Sequence, residues 1–201
     1  MLGSDRHFNR TIFRPTNSYG FTLVELVVTL GVAAILMGMA APSLSQFLQN
    51  NRLKFETFQL LDAIAVARSE AVKRGSQVIT CRSANPTAAA PACGGSANTW
   101  TTGWLVYVNA DPANLNYQSP ADTLLRVGTS VADGVAIKTN PSGNQYLDYA
   151  NTGETNETGT VLFAICDSRG EAYGRQISVL RSGRASITHG SPASPINDCT
   201  P

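Results

Sequence analysis

From Phe21 to Ala41 the chain carries one charge, Glu25, in an otherwise apolar run that stops at Pro42. A helix over that run, at 1.5 Å per residue, covers about 30 Å, which is one bilayer hydrocarbon core. The segment before it, Met1 to Gly20, holds Arg6, Arg10 and Arg14 against Asp5 alone. Positive charge ahead of an apolar span orients its N-terminus inward, so everything beyond Pro42 is expected outside the cytoplasm. A general secretory signal fits poorly, because its apolar region is usually about 7 to 15 residues and tolerates no buried carboxylate. A plain single-span anchor explains the apolar run but not the position of Glu25 within it.

Beyond Pro42 the pattern turns amphipathic. Leu44, Phe47, Leu48, Phe55, Phe58, Leu61, Ala65 and Val72 recur at three- and four-residue steps, with Arg52, Lys54, Glu56, Asp62, Arg68 and Glu70 between them. Lys73, Arg74 and Gly75 supply last-turn cations and a terminating glycine. The spacing predicts one helix from Phe21 to Gly75, roughly 80 Å long. No single globular domain buries that length, so residues 21–42 are expected in lipid or against other chains, and 43–75 against the rest of this one.

From Ser76 onward the signals are strands: 77–81, 104–108, 123–127, 135–137, 160–165, 176–180 and 185–188, divided by Gly, Asn, Asp and Pro. The expected fold class is α+β, one long helix packed on an antiparallel sheet formed by residues 76–201. Trp104, Tyr107, Phe163 and Ile165 are expected in the core against the helix, and Trp100 at the surface. Two stretches, Ser83 to Thr102 and Asn109 to Asp122, read as long surface loops.

The function classes are narrowed by what the chain lacks. Histidine occurs only at His7 and His189, and none of the four cysteines forms a CxxC pair. A Cys/His zinc site is therefore disfavoured. Asp111 and Asp122 fall short of a calcium cage of six to eight oxygens. With no nucleophile and base pair, phosphate loop or carboxylate dyad, no enzyme, metal or cofactor is expected. Cysteines facing an oxidising compartment read as structural disulfides. The expected pairs are Cys81 with Cys93, closing an Ala- and Pro-rich loop, and Cys166 with Cys199, tying the C-terminal tail to a strand. Each closure stabilises by roughly 3 kcal/mol through the unfolded chain.

Glu25 is the informative residue. A carboxylate near the start of a spanning helix costs of order 2 to 3 kcal/mol unless something compensates it. Cutting the chain after Gly20 would free the Phe21 amine one helical turn away, with the opposite charge. The same pair could form between neighbouring chains and set their register.

Gly20-Phe21, Glu25 at the fifth position after that junction and Pro42 at the twenty-second resemble the class III signal of type IV pilins and pseudopilins. The resemblance implies a leader peptide at 1–20, cleaved after Gly20 by a prepilin peptidase that also methylates Phe21. It implies that Glu25 acts in assembly with other minor and major pilins or pseudopilins at an inner-membrane platform. Ala67-Arg68-Ser69-Glu70-Ala71, Gly103-Trp104, Phe163 to Asp167 and Gly183-Arg184 are similar to the GspH/FimT group of minor pilins and pseudopilins. Some members of that family implicated in DNA uptake carry Gly-Arg-x-Arg in this region. Here Gly183-Arg184-Ala185-Ser186 matches only its first half. The acid-free stretch from Ala172 to Asn197 holds Arg175, Arg181 and Arg184, so DNA is the further partner to be tested.

Overall fold

The computed structural model describes residues 20–95, 100–140, 145–193, 196 and 199. The leader expected at 1–20 lies, apart from Gly20, outside the described residues, as do the side chains of 40–42. The chain divides into two compact units, Met1–Leu44 and Ser45–Pro201. A single α-helix, α1 (Leu23–Arg74), belongs partly to each.

The start of α1 is set by Thr22, whose hydroxyl accepts the Glu25 N–H at 3.2 Å while its carbonyl accepts the Leu26 N–H at 3.1 Å. Its end is set by Gly75, which adopts φ +61° and lets the Ser76 N–H return to the Ala71 carbonyl at 3.2 Å. A side chain in that left-handed conformation would be strained, so glycine is the residue that stops the helix here. In the first unit the large apolar side chains from Leu23 to Met39 all stand exposed. This is the one described helix long and apolar enough to cross a membrane.

In the second unit eight strands form two antiparallel sheets rather than one. Strands β1 (Val78–Arg82), β2 (Trp104–Val108), β3 (Thr123–Gly128) and β5 (Tyr146–Tyr149) give the order β3-β2-β1-β5. Strands β4 (Val135–Asn140), β6 (Val161–Asp167), β7 (Arg175–Val179) and β8 (Ala185–His189) give β4-β6-β7-β8. The four-residue β5 escaped the sequence reading because its two aromatics flank Leu147 and Asp148, and an aspartate depletes strand propensity.

The core lies where both sheets meet α1. Leu53, Leu60, Ala63, Ile64, Ala67 and Ala71 pack with Val106, Ile137, Leu147, Phe163 and Ile177. Those helix positions recur at steps of three and four, but they are not the face expected from sequence. Phe47, Leu48, Phe55, Phe58 and Val72 point away from the core, Phe55 with 60% of its surface exposed. The helix is apolar on two opposite faces, and the smaller side chains go inward because Ala63, Ala67 and Ala71 let the sheets approach closely.

Two further corrections concern aromatics. Trp100 is fully buried, edge-on to Phe163 with ring centroids 5.0 Å apart, and its N–H donates to the Ile137 carbonyl at 2.9 Å. Tyr107 is three residues from Trp104 and so faces the opposite side of its sheet, away from α1. There it packs with Ile79, Cys81 and Leu105 beneath Leu115 and Tyr117, and its hydroxyl donates to the Leu115 carbonyl. The polar stretch after β2 is thus a cover over the outer face of the sheet. Asp122 holds it in place, accepting the Ala110 N–H at 2.8 Å and the Gln118 N–H at 2.7 Å.

The same outer face carries a buried carboxylate. Asp148 accepts Gln77 Nε2 at 2.6 Å and Asn156 Nδ2 at 2.8 Å on one oxygen, while its other oxygen has no partner among the described residues. Burial raises its pKa, against the two amide hydrogen bonds that lower it. The folded state therefore binds this proton more tightly than the unfolded chain, and stability falls as pH rises between the unfolded and folded pKa values. Asp148→Asn should raise Tm at pH 7, with the gain shrinking as pH falls toward roughly 4, the unfolded value. Equal Tm shifts at both pH values, read by thermal unfolding, would show that Asp148 carries no such linkage.

Candidate functional site

The cleavage junction expected at Gly20-Phe21 lies just ahead of α1, on non-helical backbone, with both residues exposed. A protease that needs an extended substrate can reach that bond without unwinding the helix. Glu25 sits in the first turn, also exposed, where its negative charge complements the helix dipole. Thr22 and Glu25 together have the spacing of a capping box, threonine followed three residues later by glutamate. Thr22 was legible from that spacing. The sequence reading weighed the charge on Glu25, whereas its backbone N–H is what Thr22 holds.

The four cysteines form two disulfides in the structure, Cys81–Cys93 and Cys166–Cys199. The first fastens the loop after β1 to the outer face of its sheet. The second holds the C-terminal tail against Ala164 on the outer face of the other sheet, with Ile196 beside it. Their geometry is that of staples, each on the sheet face that the helix leaves uncovered.

The three arginines considered for DNA do not converge. Arg181 and Arg184 are exposed in the turn that joins β7 to β8. Arg175 pairs with His189 at the far end of that hairpin, about 13 Å along the strand from Val179 at a rise of about 3.3 Å per residue. Its guanidinium lies 2.7 Å from His189 Nε2, and burial lowers its pKa. The three arginines therefore do not gather at one point of the surface.

The turn itself is built on α1. Arg68 reaches from the helix to donate to the Gly153 carbonyl and the Ser182 carbonyl, both at 3.0 Å. Gly183 adopts φ +77°, and a Cβ there would run into the Gly153 carbonyl oxygen. Tyr149 donates to the Gly183 carbonyl at 3.3 Å from the other side. Gly183 is therefore a packing residue, needed both for its φ and for its lack of a side chain. Gly183→Ala should cost about 1 to 3 kcal/mol and release Arg68 from the hairpin. An unchanged Tm in the alanine variant would show that the turn relaxes freely.

Comparison with known proteins adds to this geometry. The family model described as type II transport protein GspH matches residues 56–183, and a prokaryotic N-terminal methylation motif matches residues 15–41. No curated protein matches the sequence. Among solved structures, the type IV minor pilin FimU of Pseudomonas aeruginosa PAO1 is similar in two crystal forms. In the first the TM-score is 0.56 at 20% identity, covering 77% of this chain and 99% of that one. In the second it is 0.51 at 18% identity, covering 71% and 95%. The minor pseudopilin EpsH from the type 2 secretion system of Vibrio cholerae aligns at 10% identity over 69% of this chain and 97% of its own, with a TM-score of 0.45. The family-model match at residues 56–183 spans about the last third of α1 and both sheets as far as the β7–β8 turn, which is more than half of the chain, and on that ground the protein belongs to the GspH family.

Proposed function

We propose that the protein is a minor pilin, a non-enzymatic subunit that primes or caps a type IV pilus. It is made as an inner-membrane precursor with its second unit in the periplasm. A prepilin peptidase cuts it after Gly20 and methylates Phe21. It then leaves the membrane to join other pilins, the Phe21 amine and Glu25 supplying opposite charges at the helix start.

The observation that carries this reading is the second apolar face of α1. Phe47, Phe55, Phe58 and Val72 turn away from the core, and ahead of them the large apolar side chains from Leu23 to Met39 are exposed. Exposed apolar surface on this scale marks an interaction site. Lipid accounts for residues 21–42, but Phe55 and Phe58 lie among Arg52, Lys54 and Asp62 in the unit that carries the sheets. Helices of neighbouring subunits would cover all of it.

The description of the matching family as a type II transport protein favours a second reading, a pseudopilin of a type II secretion system. Deleting the gene separates the two. Loss of twitching and of surface pili with normal exoprotein secretion supports the pilus. Lost secretion with normal pili supports the pseudopilus, and no change in either overturns both.

A further inference from the structure

A groove of about 710 Å³ runs between the last four turns of α1 and the β7–β8 hairpin. Its floor is apolar: Leu61, Ile64, Ala65 and Val72 from the helix, with Tyr149 and Ala185 from the two sheets. Leu61, Ala65 and Val72 lie at the border of the exposed apolar face described above, so the groove continues that surface.

The charged side chains lining the groove are all cationic: Arg68, Lys73 and Arg184. Among the described residues Arg68 donates to two neutral carbonyls and forms no ion pair. Glu70 is shared between Lys73, at 3.5 Å, and Arg74, at 2.5 Å. Arg184 is exposed and forms no ion pair among the described residues, and Arg181 stands exposed in the same turn. Of the carboxylates adjoining the groove in sequence, Asp62 is paired with Arg126 and Glu154, next to Gly153, is exposed. Positive charge is thus in excess around an apolar trough.

Each kind of occupant can be judged by its chemistry. A nucleic-acid backbone or free phosphate would answer the cations but leave the apolar floor wet. A second copy of this chain would answer the floor but not the charge. Its exposed helix face from Phe47 to Asp62 carries Arg52 and Lys54, while Glu56 is buried where it accepts the Ala132 N–H at 3.0 Å and Asp62 is already paired with Arg126. Like charges set against one another disfavour that pairing.

We propose that this groove seats a helical segment of a different filament subunit, apolar along one face and bearing an exposed aspartate or glutamate that meets Arg184 and Lys73. The proposal rests on the filament reading and sharpens it. The subunit docks a partner unlike itself and does not stack on its own copies, as suits a component present once at a filament end.

The test uses the full-length protein in its native host, with a photo-crosslinking residue placed at Ala65 in the groove or at Phe55 on the outer helix face. Adducts are identified by mass spectrometry. Ala65 should couple to an acidic, apolar helical peptide of another pilin or pseudopilin. Arg184→Glu should reduce that yield about tenfold, and Arg184→Lys should keep it. An adduct at Ala65 with a second copy, with lipid or with nucleic acid overturns the proposal, as does a yield indifferent to Arg184→Glu. Subunit adducts at Phe55 with none at Ala65 overturn the groove assignment alone. Absence of subunit adducts at both positions overturns the filament reading with it.

Discussion

Trp100→Ala is expected to cost about 3 to 5 kcal/mol, the range for removing a large aromatic from a packed core. Domains of this size are stable by about 5 to 15 kcal/mol, so the variant should unfold at much lower temperature or fail to accumulate. The size of the effect comes from where Trp100 sits. It is fully buried and meets the edge of Phe163, in the core that α1 shares with both sheets. Its backbone N–H is committed to Ile137 of β4. Losing the indole would open a cavity bordered by β4 and β6 that neither strand can close without breaking its pairing. Thermal or urea unfolding of the full chain in detergent would measure the change, and a loss under about 1 kcal/mol would mean that the cavity collapses or fills.

Glu25→Val is expected to act on assembly and to spare folding. Glu25 is exposed and contributes its N–H to the Thr22 cap through the backbone. Valine preserves the backbone hydrogen bond and removes a carboxylate whose burial in lipid costs about 2 to 3 kcal/mol, so membrane insertion should be normal or better. The freed Phe21 amine then has no counter-charge when helices pack. An unpaired charge at a buried contact costs about 3 to 5 kcal/mol, and even half of that lowers incorporation more than tenfold. Filaments sheared from cells should hold little of the variant while membranes hold normal amounts. Wild-type levels of Glu25→Val in the filament fraction would remove the registration role.

The contrast between these two residues shows where the sequence was readable. The start of α1 announced itself through a run of apolar residues interrupted by one carboxylate, and its end through Lys73, Arg74 and Gly75, because local rules govern helix ends. Strands with β-branched and aromatic runs, such as Trp104–Val108, were placed by the same local logic. Trp100 was not, since it stands in a loop between Gly, Thr and Asn and is buried by strands distant in sequence. The inward face of α1 was obscured for a related reason. Both faces are apolar, and periodicity alone cannot tell the one that meets the sheets from the one left for partners. The outer face carries the larger side chains, whereas close sheet packing selected the alanines for the inner one. Arg68 read as part of a wetted face, and only the fold shows it bridging to Gly153 and Ser182.

The disulfide and arginine expectations differ in the same way. A cysteine has few partners to choose from, so four positions leave three pairings. Arginines closely spaced in sequence need not share a surface, and a β-hairpin sends Arg175 and Arg184 to opposite ends.

The central claim is that this chain is processed at Gly20-Phe21 and then built into a filament. Intact-mass and N-terminal peptide measurement on the protein recovered from sheared filaments tests it directly. The expected result is a chain beginning at Phe21, heavier by one methyl group on that residue, with both disulfides formed. Recovery of Met1, or of Ala41 or Pro42 as the new terminus, or absence of the protein from filaments, would contradict it.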